Sequence, residues 1–247
     1  MNKILLGVNI DHIATLRESR GVDYPCVLEA GRIVEKVGVN GITIHLREDR
    51  RHIQEKDLDD LTKYLNTKIN LEMATTPEML EIAKKYQPKD CCLVPEKREE
   101  LTTEGGLDIA GNIDKMRDFV AELSEFGIRV SPFIDANKKQ IDAAKEIKVP
   151  FIELHTGHYA NLTGKAQLEE LENIQYMATY ATSLGLKVNA GHGLTLGNTK
   201  KIAEIPEIIE LNIGHSIISR AVFVGLEQAI IEMKNLIEQS RLEEIKK

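Results

Sequence analysis

Eight short runs of apolar and β-branched residues punctuate the chain, at positions 3–9, 41–46, 69–73, 91–95, 129–135, 151–155, 187–190 and 208–213. Their apolar residues are nearly continuous rather than alternating with polar ones, the pattern of strands covered on both faces in a parallel sheet. The stretches between them repeat at helical spacing. Asp23 is placed to cap one helix with Pro25 in its first turn, and Val27, Ala30, Val34 and Val37 then share a face up to Gly38. Thr76, Pro77 and Glu78 open another with Met79, Ile82, Ala83 and Tyr86 inward. Met116, Phe119, Val120 and Leu123 line a third that stops at Gly127. Strands alternating with helices in this way predict an α/β protein, a (β/α)8 TIM barrel with additional short helices, because closing the sheet leaves no edge strand. An open doubly wound sheet fits less well, since no Gly-x-Gly-x-x-Gly follows the first run. No linker, repeat or low-complexity segment interrupts the alternation, so residues 1–247 are expected to form a single barrel domain.

Composition narrows the class. The 247 residues carry 32 Lys and Arg against 39 Asp and Glu, a net charge of −7, with 42% apolar and 29% charged content. That balance excludes a disordered chain, and no apolar run approaches the roughly 20 residues of a membrane-spanning helix. A cytoplasmic protein without membrane or nucleic-acid partners is expected. Cys26, Cys91 and Cys92 have neither disulfide nor metal spacing and read as buried, reduced thiols.

In a barrel the reactive groups come from the C-terminal ends of strands. Here those ends are polar: Asn9, Asp11 and His12; His45 and Arg47; Glu72; Glu96 and Lys97; Asp135; Glu153 and His155; Asn189 and His192; Asn212 and His215. A single strand-end histidine often makes only a structural hydrogen bond, but several converging with Glu72 and Glu153 point to proton transfer. Alternation places Glu72 opposite Leu71 and Met73, hence toward the barrel mouth. Two features suit anions. Gly191 and Gly193 after the seventh run, and Gly214 after the eighth, let backbone N–H groups approach a ligand at helix N-termini. Arg17, Arg20, Arg47, Arg50, Arg51 and His52 form a basic cluster that suggests a second anionic group, although such runs are often merely solvated. The polar loop 96–106, closed by Gly105 and Gly106, has the make-up of either a lid or a plain surface loop.

Longer motifs carry a resemblance. Gly7-Val8-Asn9-Ile10-Asp11-His12-Ile13-Ala14-Thr15-Leu16-Arg17, Thr43-Ile44-His45-Leu46-Arg47 running on to His52, Asn70-Leu71-Glu72-Met73-Ala74, Leu93-Val94-Pro95-Glu96-Lys97-Arg98 with Thr102 to Gly106, and Asn189-Ala190-Gly191-His192-Gly193-Leu194 closely resemble the pyridoxine 5′-phosphate synthase family, over residues 7 to about 234. The resemblance implies ring-closing condensation of 3-amino-2-oxopropyl phosphate with 1-deoxy-D-xylulose 5-phosphate, two small phosphorylated partners, to pyridoxine 5′-phosphate, phosphate and water. It implies His45 and Glu72 as general bases, His192 as general acid and Glu153 as a supporting carboxylate. It further implies Asn9, Arg20, Gly193, Gly214 and His215 at the aminoketone phosphate, and Asp11, His12, Arg47, His52 and Thr102 at the deoxyxylulose phosphate. No cofactor and no metal are implied. The family forms homo-octamers, for which extra helical segments near 18–24 and 159–165 are candidate contacts. Another phosphate-binding barrel isomerase would share the glycine loops without needing the second basic cluster. A metal-dependent hydrolase would be expected to show His-x-His on the first strand, where Asn9-Ile10-Asp11-His12 stands instead. A non-catalytic binding barrel would not need carboxylates and histidines facing one mouth.

Overall fold

The computed structural model describes residues 3–97, 100 and 105–245. Strands β1 (Leu5–Asn9), β2 (Gly41–His45), β3 (Ile69–Met73), β4 (Asp90–Leu93), β5 (Arg129–Ile134), β6 (Phe151–His155), β7 (Lys187–Gly191) and β8 (Ile208–Ile213) pair in chain order, and β8 returns in parallel to β1 to close a barrel. Helices α2 (Val27–Val37), α3 (Glu55–Tyr64), α4 (Pro77–Tyr86), α5 (Ile113–Glu125), α6 (Lys138–Glu146), α8 (Gly164–Ser183), α9 (Thr199–Glu204) and α11 (Leu226–Ile245) follow the strands in turn. The additional helices are α1 (Asp11–Glu18), α7 (Gly157–Asn161) and α10 (His215–Val224), each springing directly from a strand end. The chain is thus a (β/α)8 TIM barrel. Among the described residues no helix is long and apolar enough to cross a membrane.

Local details depart from the sequence reading for physical reasons. Helix α2 begins at Val27 with an extended Cys26 as its N-cap, not at Asp23, because the residue before a proline is pushed out of the helical region and Tyr24 precedes Pro25. That position also leaves Cys26 exposed, while Cys91 and Cys92 are buried. The first extra helix lies at Asp11–Glu18 rather than near 18–24, since Gly21 turns left-handed at φ 60° and Pro25 follows. Elsewhere the signals hold: the Thr76 hydroxyl accepts from Met79 N, and Gly38 closes α2 at φ 70°.

The apolar core lies outside the strands. Ile42, Ile44, Leu71, Met73, Leu93, Val130, Ile152, Leu154, Val188 and Leu211 pack beneath the helices, each side chain contributing about 1.5–3 kcal/mol by leaving water. The interior of the barrel is polar instead, which corrects the expectation of strands apolar on both faces. Thr43, Asn70, Ser131, Glu153, Asn189 and Asn212 are all buried. The Thr43 hydroxyl donates to Asn212 Oδ1 (3.0 Å), and Asn212 Nδ2 donates to Glu153 Oε2 (2.6 Å). At the opposite end from the mouth, Lys68 reaches Asp90 (2.8 Å) on β4 and Glu210 (2.6 Å) on β8, while Arg129 on β5 bonds Asp90 (2.6 Å). Burial would lower the pKa of Lys68, but Glu210 and Asp90 outweigh it and hold it above the usual range. Arg241 on α11 donates to the carbonyls of Ala203, Ile205, Pro206 and Ile208 and fastens the turn that leads into β8.

Candidate active site

The C-terminal ends of the strands enclose a cavity of about 710 Å³, within the size range of small-molecule sites. Asn9, Asp11, His12, His45, Glu72, Glu153, His192, Gly193, Gly214 and His215 line it, as do Phe133, His155 and Ser216. Arg20, Arg47 and His52 lie outside this lining, and Thr102 lies outside the described residues.

Adjacent strands explain the meeting of the acidic groups. In the β2–β3 register His45 stands beside Glu72, and Leu71 and Met73 on either side of Glu72 are wholly buried in the core, so Glu72 turns into the mouth. Asp11, first residue of α1, accepts the His45 backbone N–H on Oδ1 (2.8 Å) and Asn9 Nδ2 on Oδ2 (2.8 Å). The same Asn9 amide is 3.5 Å from Glu72 Oε2. Donor atoms of Asp11, His45 and Glu72 all fall within 4.8 Å of one another, a grouping no linear spacing reveals because its members come from three strand ends. Burial raises Asp11 to about 6, against the opposing pull of His45, Asn9 and Arg47. Burial and then repulsion from Asp11 and Glu153 raise Glu72 well above the carboxylate range. Burial likewise lifts Glu153 to about 7, only partly offset by the Asn212 amide. These are carboxyls that hold protons near neutrality and can give or take them.

The histidines fall into pairs. His45 Nε2 is 2.9 Å from Glu96 Oε1, just beyond β4, and the Glu96 side chain is only 4% exposed. His155 Nδ1 is 3.4 Å from Asp135 Oδ1, with its ring edge-on to Phe133 and 5.1 Å from the His192 ring. Glu96, Asp135 and His155 are strand-end groups in the sequence, but nothing there indicates their partners, and Phe133 carries no signal. His192 has φ 83°, a strained backbone for a residue with a Cβ, worth about 1–3 kcal/mol. Thr156 braces that turn: its N–H donates to Gly191 O (2.8 Å), and its hydroxyl lies 2.7 Å from the same oxygen and 2.6 Å from His192 O. Gly157 is required beside it, since a Cβ there would stand 2.8 Å from His192 Cδ2. Burial, then the neighbouring His155, lower the pKa of His192. Across the mouth His12 Nε2 meets His215 Nδ1 at 3.3 Å. His52, its ring 6.1 Å from that of His45, is lowered to about 4 by burial and then by His45 and Arg47.

Of the two glycine turns, only that after β8 opens on a helix start, with Gly214 the N-cap of α10. The turn after β7 runs through seven residues, 192–198, before α9 begins. In the basic cluster most cations are already engaged. Arg17 grips Asp57 through two nitrogens (2.6 and 2.8 Å), Arg50 bonds Glu55 and Glu78, and Arg51 bonds Asp49. Arg47 differs. Its Nε makes a 3.4 Å ion-pair contact with Asp49 Oδ1 without a hydrogen bond among the described residues, and its Nη2 lies 3.8 Å from Glu96 Oε2. Residues 98–99 and 101–104 of loop 96–106 lie outside the described residues, and the described end of the loop is held at Asp135. Gly106 N donates to Asp135 Oδ1 (2.9 Å), and a Cβ on Gly106 would meet Asp135 N at 2.5 Å.

A closed parallel barrel whose mouth collects carboxyls and histidines belongs to the class of TIM-barrel enzymes. Solved structures share its architecture. KGPDC from Streptococcus mutans superposes with a TM-score of 0.65 at 13% identity, covering 96% of this chain and 98% of that one. The BexX/CysO complex from Amycolatopsis orientalis gives 0.65 at 14%, covering 100% and 92%. Phosphoribosyl anthranilate isomerase from Thermus thermophilus gives 0.60 at 11%, covering 97% and 100%. At these identities the likeness shows the fold. Residues 6–239 match the family described as pyridoxal phosphate biosynthesis protein PdxJ, and the chain belongs to that family. It is therefore a synthase of vitamin B6 biosynthesis.

Proposed function

We propose that the protein is a pyridoxine 5′-phosphate synthase, joining 3-amino-2-oxopropyl phosphate to 1-deoxy-D-xylulose 5-phosphate with loss of phosphate and water. The observation that carries this reading is one cavity shared by proton-holding carboxyls, histidines and the N-terminus of α10. Ring closure needs carbons that lose protons and hydroxyls that leave protonated. Groups poised near neutral pH serve both directions. In this reading His45 and Glu72 take protons, His192 gives them, and Glu153 supports charge on the reacting carbons. The ammonium of the aminoketone supplies the cation that the acidic cluster lacks, which draws Glu72 toward its ionised, basic form. The turn at Gly214 and His215, with Gly193, Asn9 and Arg20, suits the aminoketone phosphate. Arg47, whose Nε makes no hydrogen bond among the described residues, together with Asp11, His12, His52 and Thr102, suits the deoxyxylulose phosphate. His45, Glu72 and His192 thus move protons while the C–N and C–C bonds form and phosphate and water leave. Helix α10 leaves Val222 and Phe223 71% and 83% exposed, an apolar surface suited to contact between copies in a homo-octamer. Incubation with both phosphates, followed by mass detection of pyridoxine 5′-phosphate and measurement of released phosphate, tests the reading. Phosphate release without the ring product, or product formed with either substrate omitted, would refute it.

A further inference from the structure

We propose that Glu96 is the positioning residue of His45, fixing which ring nitrogen takes the proton; this rests on His45 being a base in the reading above. Three observations converge. Glu96 Oε1 lies 2.9 Å from His45 Nε2, and the two side chains are 4% and 12% exposed. Glu96 Oε2 accepts the backbone N–H of Glu48 at 3.1 Å, so the carboxylate is held from a second side. On the chain side of the pair, the His45 N–H donates to Asp11 Oδ1 at 2.8 Å, which fixes the backbone from which the ring projects.

The chemistry then allows one arrangement. Burial opposes ionisation of Glu96, but its hydrogen bond and charge contact with His45, the Glu48 N–H and Arg47 prevail and keep it an anion. An ionised carboxylate only accepts, so His45 Nε2 must carry a hydrogen. A neutral imidazole carries one, which leaves the lone pair on Nδ1. Proton abstraction forms the N–H bond at Nδ1 as the substrate C–H bond breaks and its electron pair stays on the carbon. The imidazolium so formed keeps Nε2–H on Glu96, whose negative charge faces the new positive one. The pairing is that of a carboxylate orienting a catalytic histidine, reached here from the strand after the neighbouring one.

Glu96 also joins this ring to the loop that follows β4. The backbone N–H groups of Glu96 and Lys97 donate to Glu100 Oε2 at 2.8 and 3.1 Å, and Asp108 N donates to Glu100 O at 2.9 Å. These bonds tie the backbone at Glu96 and Lys97 to the Glu100 side chain, and the Glu100 carbonyl to Asp108.

The test compares the full-length protein with Glu96→Gln, using 15N-labelled histidine and spectra that correlate ring nitrogens with ring C–H protons, at a pH where His45 is neutral. His45→Gln identifies the His45 signals. The parent is expected to show hydrogen on Nε2 and a bare Nδ1. A glutamine amide can accept or donate, so the variant is expected to show a mixture of tautomers, with kcat lower by roughly 10- to 100-fold and both KM values within about twofold. Hydrogen on Nδ1 in the parent, or an unchanged tautomer in Glu96→Gln, overturns the proposal. A mixed tautomer with unchanged kcat, matched by unchanged kcat in His45→Gln, overturns instead the assignment of His45 as a base.

Discussion

The two ends of this barrel treat buried charge in opposite ways. At the floor Lys68 sits between Asp90 and Glu210, and Arg129 completes the set, so each charge faces its opposite within 2.8 Å. At the mouth Asp11, Glu72 and Glu153 are gathered with amides and imidazoles but without a paired ammonium or guanidinium at hydrogen-bond distance among the described residues. The same strands build both ends, so the difference lies in which residue types occupy their first and last positions. Pairing holds the floor together. Crowding at the mouth destabilises the free protein and leaves carboxyls that exchange protons near neutral pH.

The sharpest break of the contrast is Glu72→Gln, which keeps volume and most hydrogen bonds but removes the proton site. Turnover should fall by roughly 10² to 10⁴ while the melting temperature is held or raised, because a repelling carboxyl is gone. A lower melting temperature with near-normal kcat in the folded fraction would make Glu72 a structural residue. The floor should respond in reverse. Lys68→Met strands Glu210, although Asp90 keeps Arg129, so denaturant unfolding should show a loss of about 2–4 kcal/mol with kcat little changed. An equal effect on kcat would mean that the two ends are not independent.

Much of the contrast was legible in the sequence. Ten of the residues singled out in the sequence line one mouth, because strand ends in a barrel converge whatever the crossovers do. Register across strands was not legible, and it carries the rest. Glu96 meets His45, Asp135 meets His155, and Lys68 meets Glu210 across 51, 20 and 142 positions of the chain, distances over which no periodic signal runs. The polar barrel interior was hidden too, since Thr43 and Asn70 sit singly between larger apolar neighbours and only the pleat turns them inward. Likewise the basic cluster looked uniform in sequence, and only the partners of Arg17, Arg50 and Arg51 separate them from Arg47.

A subtler contrast concerns pH. Glu153 is raised from 4.5 to about 7 in the folded chain, so the folded state binds its proton more tightly than the unfolded state does. The resulting stabilisation is complete below about 4.5 and is lost as pH rises through about 7. Glu153→Gln should therefore lose less stability than the parent between pH 5 and pH 8, by on the order of 1–3 kcal/mol in paired denaturant titrations. Identical pH dependence would place the Glu153 carboxyl in the ordinary range. The smallest effects are expected at the rim. Arg47→Met should raise the KM for deoxyxylulose phosphate and Arg20→Met that for the aminoketone phosphate, each by about tenfold, the worth of one charge-assisted contact. Equal effects of both changes on one substrate would merge the two sites.

The claim that the mouth holds protons near neutral pH is tested most directly by titrating the 13C carboxyl signals of labelled glutamate, with Glu72→Gln and Glu153→Gln to identify the two resonances. The Glu153 signal should titrate with a midpoint of about 7 and the Glu72 signal well above the ordinary 4.5. Midpoints near 4.5 for both would contradict the account.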